Sequence, residues 1–131
     1  MKFLKQLLFR RQEEKLFGSI SGYSDVKWIL RRALEQQSEE PVHILLTGPP
    51  CIGKTRFLKA IEREYSNSYF ALASGSTGAG MINYCFQNQP RFLLIDEIED
   101  LGQAAQSTLL SLLQDGCLDN DYTILLSTFF P

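Results

Sequence analysis

A segment near the middle of the chain combines two glycines, a lysine and a threonine at spacings that suit phosphate binding. It fits the pattern G-x-x-x-x-G-K-[ST] at every fixed position and reads Gly48-Pro49-Pro50-Cys51-Ile52-Gly53-Lys54-Thr55. Gly48 and Gly53 permit backbone dihedrals that let successive N–H groups turn inward around an anion. Lys54 adds a mobile cation for terminal phosphates, and the Thr55 hydroxyl can ligate magnesium. We therefore predict a phosphate-binding loop, followed by a helix whose positive end faces the same anion.

A second group of residues that could take part in catalysis lies where an apolar strand is predicted to end. Residues 93–95 are apolar and lead directly into Asp96 and Glu97, and open α/β sheets bind their ligands beyond the carboxyl ends of the strands. Asp96 is placed to hold a magnesium-bound water opposite Thr55, and Glu97 is the candidate base that orients and deprotonates an attacking water. The alternative is a solvated acidic loop over residues 96–100. The intact phosphate loop favours the catalytic interpretation.

The composition is that of an ordinary globular domain. The chain has 131 residues, of which 44% are apolar and 21% are charged, and this length is near the usual size of one domain. A net charge of −2 and an isoelectric point near 5.4 argue against broad electrostatic binding of nucleic acid. The scattered cysteines Cys51, Cys85 and Cys117 suit a reducing compartment and give no disulfide framework or zinc site. The single histidine, His43, is expected to be structural.

Residues 1–16 are predicted to form an amphipathic helical segment. The apolar side chains that share one side of this helix are Phe3, Leu4, Leu7, Leu8 and Phe9. One interpretation of the segment is a basic arm that binds nucleic acid or an anionic surface. The other is a helix that docks through its apolar stripe. Glu13 and Glu14 dilute the basic charge and favour docking. No signal-peptide cleavage site follows and no segment approaches the ~20 apolar residues of a membrane span, so we expect a cytoplasmic protein.

Hydrophobic periodicity predicts strands that alternate with helices, after a helix that starts at Ser24 or Asp25. The predicted strands are residues 44–47, 69–73, 91–97 and 122–130. The predicted helices are residues 54–65, 81–86 and 103–114, the last ending at Gly116. A Gly-rich stretch at 74–80 is expected to be a flexible connector. This order of elements is typical of an α/β fold with a mostly parallel sheet and helices on both faces.

With these motifs the chain resembles the AAA+ class of P-loop ATPases. Residues 48–55 match the Walker A motif of that class, and Phe92 to Glu97 match its Walker B motif with the catalytic glutamate. The resemblance implies a P-loop three-layer sandwich that binds ATP or ADP with Mg²⁺. It implies Lys54 and Glu97 as catalytic residues and Thr55 and Asp96 as metal ligands. The implied nucleotide contacts are Gly48, Pro49, Pro50, Cys51, Ile52, Gly53, Lys54, Thr55 and Arg56, with Ile20 to Gly22 covering the adenine.

The resemblance covers residues 17–128 and is closest to the Holliday-junction branch-migration and clamp-loader-like members. It divides the chain into the helical segment 1–16 and a partial ATPase core at 17–131. Members of the class work as assemblies, so the resemblance implies self-association or a partner subunit that supplies an arginine finger. The resemblance to the branch-migration members also makes DNA a candidate substrate.

The chain departs from the family pattern after its fourth predicted strand. The family places a polar residue, often Asn, near the end of that strand to sense the terminal phosphate, and Ser127 and Thr128 are the polar candidates here. The arginine finger, the fifth strand and the helical lid of the family have no counterpart in these 131 residues. We therefore expect intact nucleotide binding, low hydrolysis and an incomplete, four-stranded sheet with strand 44–47 at its edge, as in a fragment or a truncated relative.

Two functions compete on this basis. The first is the ATPase core of a ring-forming motor that couples hydrolysis to the remodelling of DNA or protein. The second is a nucleotide-binding module or switch that hydrolyses ATP poorly. Thr55, Asp96 and Glu97 favour the first, and the missing arginine finger and lid favour the second. A small-molecule kinase fits less well because an Asp-Glu pair at this place suits the activation of water.

Overall fold

The structure, a computed structural model, describes residues 1–35, 42–75, 77–115 and 123–129. Backbone contacts divide the chain into an amino-terminal unit, Met1–Gln37, and a sheet unit, Ser38–Pro131. The predicted helix end at Gly116 and the predicted strand ends at Tyr122 and Phe130 lie outside the described residues. The division predicted between residues 16 and 17 stays a prediction.

The amino-terminal unit contains two helices, α1 at Lys2–Phe17 and α2 at Ser24–Glu35. Both lie where the sequence predicts them. In α2 the residues Leu30, Ala33 and Leu34 are buried because positions three and four apart share one face of a helix. Lys27 anchors the start of α2 by donating a hydrogen bond from Nζ to the carbonyl oxygen of Ile20.

The apolar stripe near the start of α1 is exposed, so the predicted docking of that stripe is wrong. Its described members Phe3, Leu4, Leu7 and Leu8 are 50–73% exposed. Leu16 and Phe17, at the other end of the helix, are buried. At 100° per residue Leu16 falls on the side of the helix opposite to the stripe, whereas Phe17 falls about 40° from Phe3. One helix face therefore cannot bury both Leu16 and the stripe.

The sheet unit alternates strands and helices in the predicted order. Its elements are β1 at Ile44–Gly48, α3 at Lys54–Glu64, β2 at Ser68–Leu72, α4 at Gly78–Asn88, β3 at Phe92–Asp96, α5 at Gln103–Asp115 and β4 at Thr123–Phe129. Two 3₁₀ turns, Ala73–Gly75 and Ile98–Asp100, follow β2 and β3.

The four strands form one parallel sheet in the order β1-β4-β3-β2 within the described residues. This arrangement confirms the predicted α/β fold, with β1 at one edge. Because all strands run the same way, the carboxyl ends of β1, β3 and β4 lie side by side at one end of the sheet. The loop after β1 and the carboxylates after β3 therefore meet there.

The core of the sheet unit is built around β3, whose five residues are all buried. Such burial on both faces is typical of a central parallel strand. Phe57, Leu58 and Ile61 of α3 are buried, and Tyr65 packs its ring against Phe92 at a centroid distance of 4.8 Å. On the α4 and α5 side, Met81, Cys85, Ala105, Leu109 and Leu112 pack in one cluster with Leu93, Ile95 and Leu126. Among the residues that the structure describes, none of the helices is long and apolar enough to span a lipid bilayer.

In the described part of the stretch 74–80, the backbone is more regular than the sequence predicts. A 3₁₀ turn occupies its start, and α4 begins inside it at Gly78. Thr77 caps that helix, because its Oγ1 accepts a hydrogen bond from the backbone N–H of Gly80 at 3.0 Å. Threonine at a helix N-cap stabilises the first turn, and this local interaction outweighs the glycine content on which the prediction of a connector was based.

Candidate functional site

The loop between β1 and α3 is shaped by unusual backbone conformations. Cys51 and Gly53 have φ angles of 64° and 101°, in the left-handed region that favours glycine. At Gly48 a Cβ would clash with Cδ1 of Ile52, so the missing side chain makes room for Ile52. The loop thereby turns back over the end of β1, and α3 starts at Lys54 with its amino end at the loop. Such an arrangement of backbone N–H groups and helix end suits an anion.

Lys54 folds back onto this loop. Its Nζ donates hydrogen bonds to the carbonyl oxygens of Gly48 at 2.6 Å and Pro49 at 2.8 Å. An ammonium group has three donors, and two of them are engaged by the loop itself. Pro49, Pro50 and Cys51 are exposed around it, so the cation lies at an open surface. The lysine can exchange these bonds for an anionic ligand without disturbing a packed core.

Asp96 lies at the end of β3 and is only 3% exposed. Two hydroxyl groups from different elements donate to its carboxylate. Thr55 Oγ1 donates to Oδ2 at 2.7 Å, and Ser127 Oγ donates to Oδ1. A buried carboxylate requires such partners because losing water is costly. The predicted pair Thr55 and Asp96 is thus brought together across 41 residues of sequence.

Glu97 follows in a left-handed conformation, with φ 57° and ψ 53°. Its side chain is exposed, whereas its backbone N–H donates to Ser127 Oγ at 3.2 Å. Close by, Thr128 Oγ1 donates to Glu99 Oε2 at 3.0 Å. The turn therefore separates the two adjacent carboxylates, because Asp96 points into the sheet end and Glu97 points to solvent.

The oxygen atoms of Thr55 and Asp96 fit a magnesium ion that also binds phosphate. Because Thr55 donates its proton to Asp96, the lone pairs of Thr55 Oγ1 stay available to a cation. Among the described residues there is no group of three His, Cys, Asp or Glu side chains that could hold a metal alone. Magnesium commonly binds through one or two carboxylates together with water and phosphate oxygens. The donor set thus suits a metal that arrives with a nucleotide.

The other predicted site residues lie as follows. Arg56 is exposed in the first turn of α3. Ile20 is buried and Gly22 has φ 75°; both belong to the amino-terminal unit, and their contact with adenine stays a prediction. His43 precedes β1, at the end opposite the loop, and burial lowers the pKa of its imidazole.

Ser127 makes the contact that the sequence analysis missed. The sequence marked it and Thr128 as polar residues near a strand end, without a partner for either. The parallel register pairs Ile95 with Leu126, and one further step along both strands places Ser127 beside Asp96. That register was the available signal, but it requires knowledge that β3 and β4 are neighbours.

Comparisons with known proteins give one consistent family. Residues 44–130 match the model of the "ATPase family associated with various cellular activities". The Holliday junction branch migration complex subunit RuvB of Anaplasma marginale (strain Florida) is 32% identical over 114 residues, covering 81% of this chain and 33% of that protein. An ATP-dependent zinc metalloprotease YME1 homolog of Schistosoma mansoni is 33% identical over 125 residues, covering 77% of this chain and 19% of the relative.

A solved structure agrees with these relatives. The Thermotoga maritima RuvB Holliday junction branch migration motor superimposes with a TM-score of 0.63 at 30% identity, covering 82% of this chain and 38% of that one. The chain thus spans about a third of the RuvB proteins that it resembles.

Proposed function

The chain belongs to the ATPase family associated with various cellular activities, and on that premise we propose that it binds ATP or ADP with magnesium and hydrolyses ATP slowly. Residues 48–55 hold the phosphates through backbone N–H groups and the amino end of α3. The observation that carries this proposal is the 2.7 Å hydrogen bond between Thr55 and Asp96. It joins the last residue of the phosphate loop to the carboxylate at the end of β3, and these are the two residues for which the family resemblance implies a metal-binding role.

Five side chains have roles in this proposal. Lys54 leaves its two loop carbonyls and binds the terminal phosphate oxygens. Thr55 and Asp96 hold the metal, which when bound neutralises charge on the phosphates. Glu97, exposed beside them, orients a water molecule and accepts its proton. Arg56 follows Thr55 in the sequence and is the last of the proposed nucleotide contacts in this segment.

A second candidate is a nucleotide-binding module or switch with little or no hydrolysis of ATP. The hydrogen bonds of Ser127 and Thr128 favour this second candidate. The Ser127 hydroxyl already donates to the carboxylate of Asp96, and the Thr128 hydroxyl donates to that of Glu99. Neither is then available to donate to a terminal phosphate unless these bonds rearrange. An arginine from a second subunit could restore turnover, since arginine fingers contribute roughly 10³–10⁵-fold in related enzymes.

The wider role that we propose is that of a DNA-remodelling motor core that self-associates in the cytoplasm. The named RuvB relatives support it, although the chain spans only 33% of that protein's length. In this proposal residues 1–16 are an accessory helical segment and residues 17–131 form the core. Ile20 and Gly22 cover the adenine.

Steady-state ATP hydrolysis and calorimetric titration with ADP test the proposal. We expect the wild-type chain to bind ADP with magnesium and to hydrolyse ATP measurably above Lys54→Ala. We expect Glu97→Gln to bind ADP like the wild type while its turnover falls by roughly 100-fold or more, as for loss of a general base. Binding without turnover above the Lys54→Ala background supports the second candidate, and absence of nucleotide binding refutes both.

A further inference from the structure

Ser127 connects the two adjacent carboxylate residues of the site through one hydroxyl group. Its oxygen donates to Oδ1 of Asp96 and accepts from the backbone N–H of Glu97 at 3.2 Å. The side chain is only 1% exposed. A hydroxyl group offers one donor and two acceptor positions, so a single small side chain bonds both to the buried carboxylate of Asp96 and to the backbone N–H of the residue that follows it.

The contact to Asp96 fixes the direction of its carboxylate. Oδ1 is held by Ser127 from β4, and Oδ2 is held by Thr55 from α3. Hydrogen bonds to both oxygens, from two different elements, prevent rotation about the Cβ–Cγ bond of Asp96. Oδ2 therefore stays beside Thr55, on the side of the carboxylate that faces the start of α3.

The contact to Glu97 fixes the peptide that precedes a turn. Glu97 has φ 57° and ψ 53°, a conformation that residues other than glycine rarely adopt. The surrounding structure must hold such a residue in place. The bond from the Glu97 N–H to Ser127 is one restraint, and the bond from the Asp100 N–H to the Glu97 carbonyl oxygen at 3.0 Å is another.

We propose that Ser127 is a positioning residue for the metal and water sites, which rests on the nucleotide function proposed above. Its hydroxyl keeps the Asp96 carboxylate turned towards Thr55 and fixes the position of the turn at Glu97 relative to that carboxylate. Groups that hydrogen-bond to metal ligands set the orientation of those ligands, and their loss typically costs about 10–100-fold in metal affinity or activity. Ser127 thus acts through Asp96 and Glu97 rather than on the phosphates themselves.

A merely structural role for Ser127 has a different consequence. If the hydroxyl only satisfies buried polar groups, its removal lowers the stability of the fold equally with and without magnesium. A positioning role changes the dependence of nucleotide binding on magnesium and leaves binding in the absence of the metal unchanged. The dependence of nucleotide binding on magnesium therefore distinguishes the two roles, and no measurement of turnover is needed.

The test titrates magnesium into the 131-residue chain mixed with a fluorescent ADP analogue. For Ser127→Ala we expect the magnesium midpoint to rise about tenfold or more, with unchanged affinity for the analogue in EDTA. Ser127→Thr keeps the hydroxyl and should return the midpoint towards that of the wild type. Ser68→Ala is the matched control, because Ser68 Oγ donates to the Tyr65 carbonyl oxygen at 2.6 Å at the far end of the sheet, and its midpoint should not move.

An unchanged midpoint in Ser127→Ala overturns the positioning role, as does an equal shift in Ser68→Ala or an equal loss of affinity in EDTA. Each variant is first checked for a native circular dichroism spectrum. If Ser127→Ala does not fold, Ser127→Cys replaces it, because a thiol of similar size hydrogen-bonds only weakly, and the same outcomes apply. A wild-type chain that does not bind the analogue even with magnesium refutes the proposed function, and the positioning role with it.

Discussion

The two halves of the site are held in opposite ways. The loop half, residues 48–54, contains no buried residue, and its lysine bonds to the loop's own carbonyl groups. The carboxylate half, Asp96 with its partners Thr55 and Ser127, is joined by side-chain hydrogen bonds between α3, β3 and β4. The loop is local in sequence, whereas the carboxylate half depends on three elements far apart in the chain.

This difference indicates what each half must do when a ligand binds. Lys54 has to break two hydrogen bonds before it reaches an anion, so the loop half exchanges internal bonds for ligand bonds. The carboxylate half is already oriented, and Thr55 can ligate a cation while it still donates to Asp96. We therefore expect the loop half to determine phosphate affinity with or without metal, and the carboxylate half to act only when metal is present.

The largest expected effect is that of Lys54→Ala on the loop half. The variant removes the one lysine of the loop and its charge-assisted hydrogen bonds to phosphate, each of which contributes about 1.5–3 kcal/mol. We expect the affinity for ADP in calorimetry to fall by about 100-fold or more, which corresponds to at least about 2.7 kcal/mol. The loss should be equally large in magnesium and in EDTA.

Lys59→Ala is the matched control for the charge change. Lys59 is an exposed lysine of α3 whose Nζ bonds to Glu62 at 3.1 Å and lies 3.7 Å from the centre of the Phe70 ring. Its loss removes the same charge from the same helix, away from the loop, and should leave ADP affinity unchanged. A similar loss of affinity in both variants would show that net charge, and not the loop geometry, controls binding.

The next effect in size is that of Asp96→Asn on the carboxylate half. The amide keeps the shape of the carboxylate and removes its negative charge, so the Thr55 and Ser127 hydroxyls keep a neighbour to bond with. We expect ADP affinity in magnesium to fall by roughly 10–100-fold, as for other changes around a bound metal. The affinity in EDTA should match that of the wild type.

Asp100→Asn controls for the acidic run that follows β3. Asp100 is exposed at the end of the 3₁₀ turn, and its neutralisation should leave the magnesium dependence unchanged. If Asp96→Asn weakens ADP binding in EDTA as much as in magnesium, the proposed separation between the two halves of the site is wrong.

The same contrast explains which parts of the molecule the sequence could predict. The loop follows from its glycine spacing, and the positions of the strands along the chain follow from apolar runs. The parallel sheet follows from the alternation of strands with helices. The pairing of Ser127 with Asp96 joins residues 31 positions apart, and it depends on which strands become neighbours. The exposed stripe on α1 was missed for a related reason, because periodicity identifies an apolar face but does not say what covers it.

The smallest expected effect is that of Cys51→Ala, and it tests how the loop half works. Cys51 has φ 64° and an exposed side chain, so in our account it contributes its backbone N–H and not its thiol. Alanine keeps that N–H and meets the same steric resistance to a left-handed conformation. We therefore expect the ADP affinity measured by calorimetry to change by less than about threefold, or under ~0.7 kcal/mol. A loss as large as that of Lys54→Ala would mean that the thiol itself contacts the ligand, and the loop would then bind through side chains as the carboxylate half does.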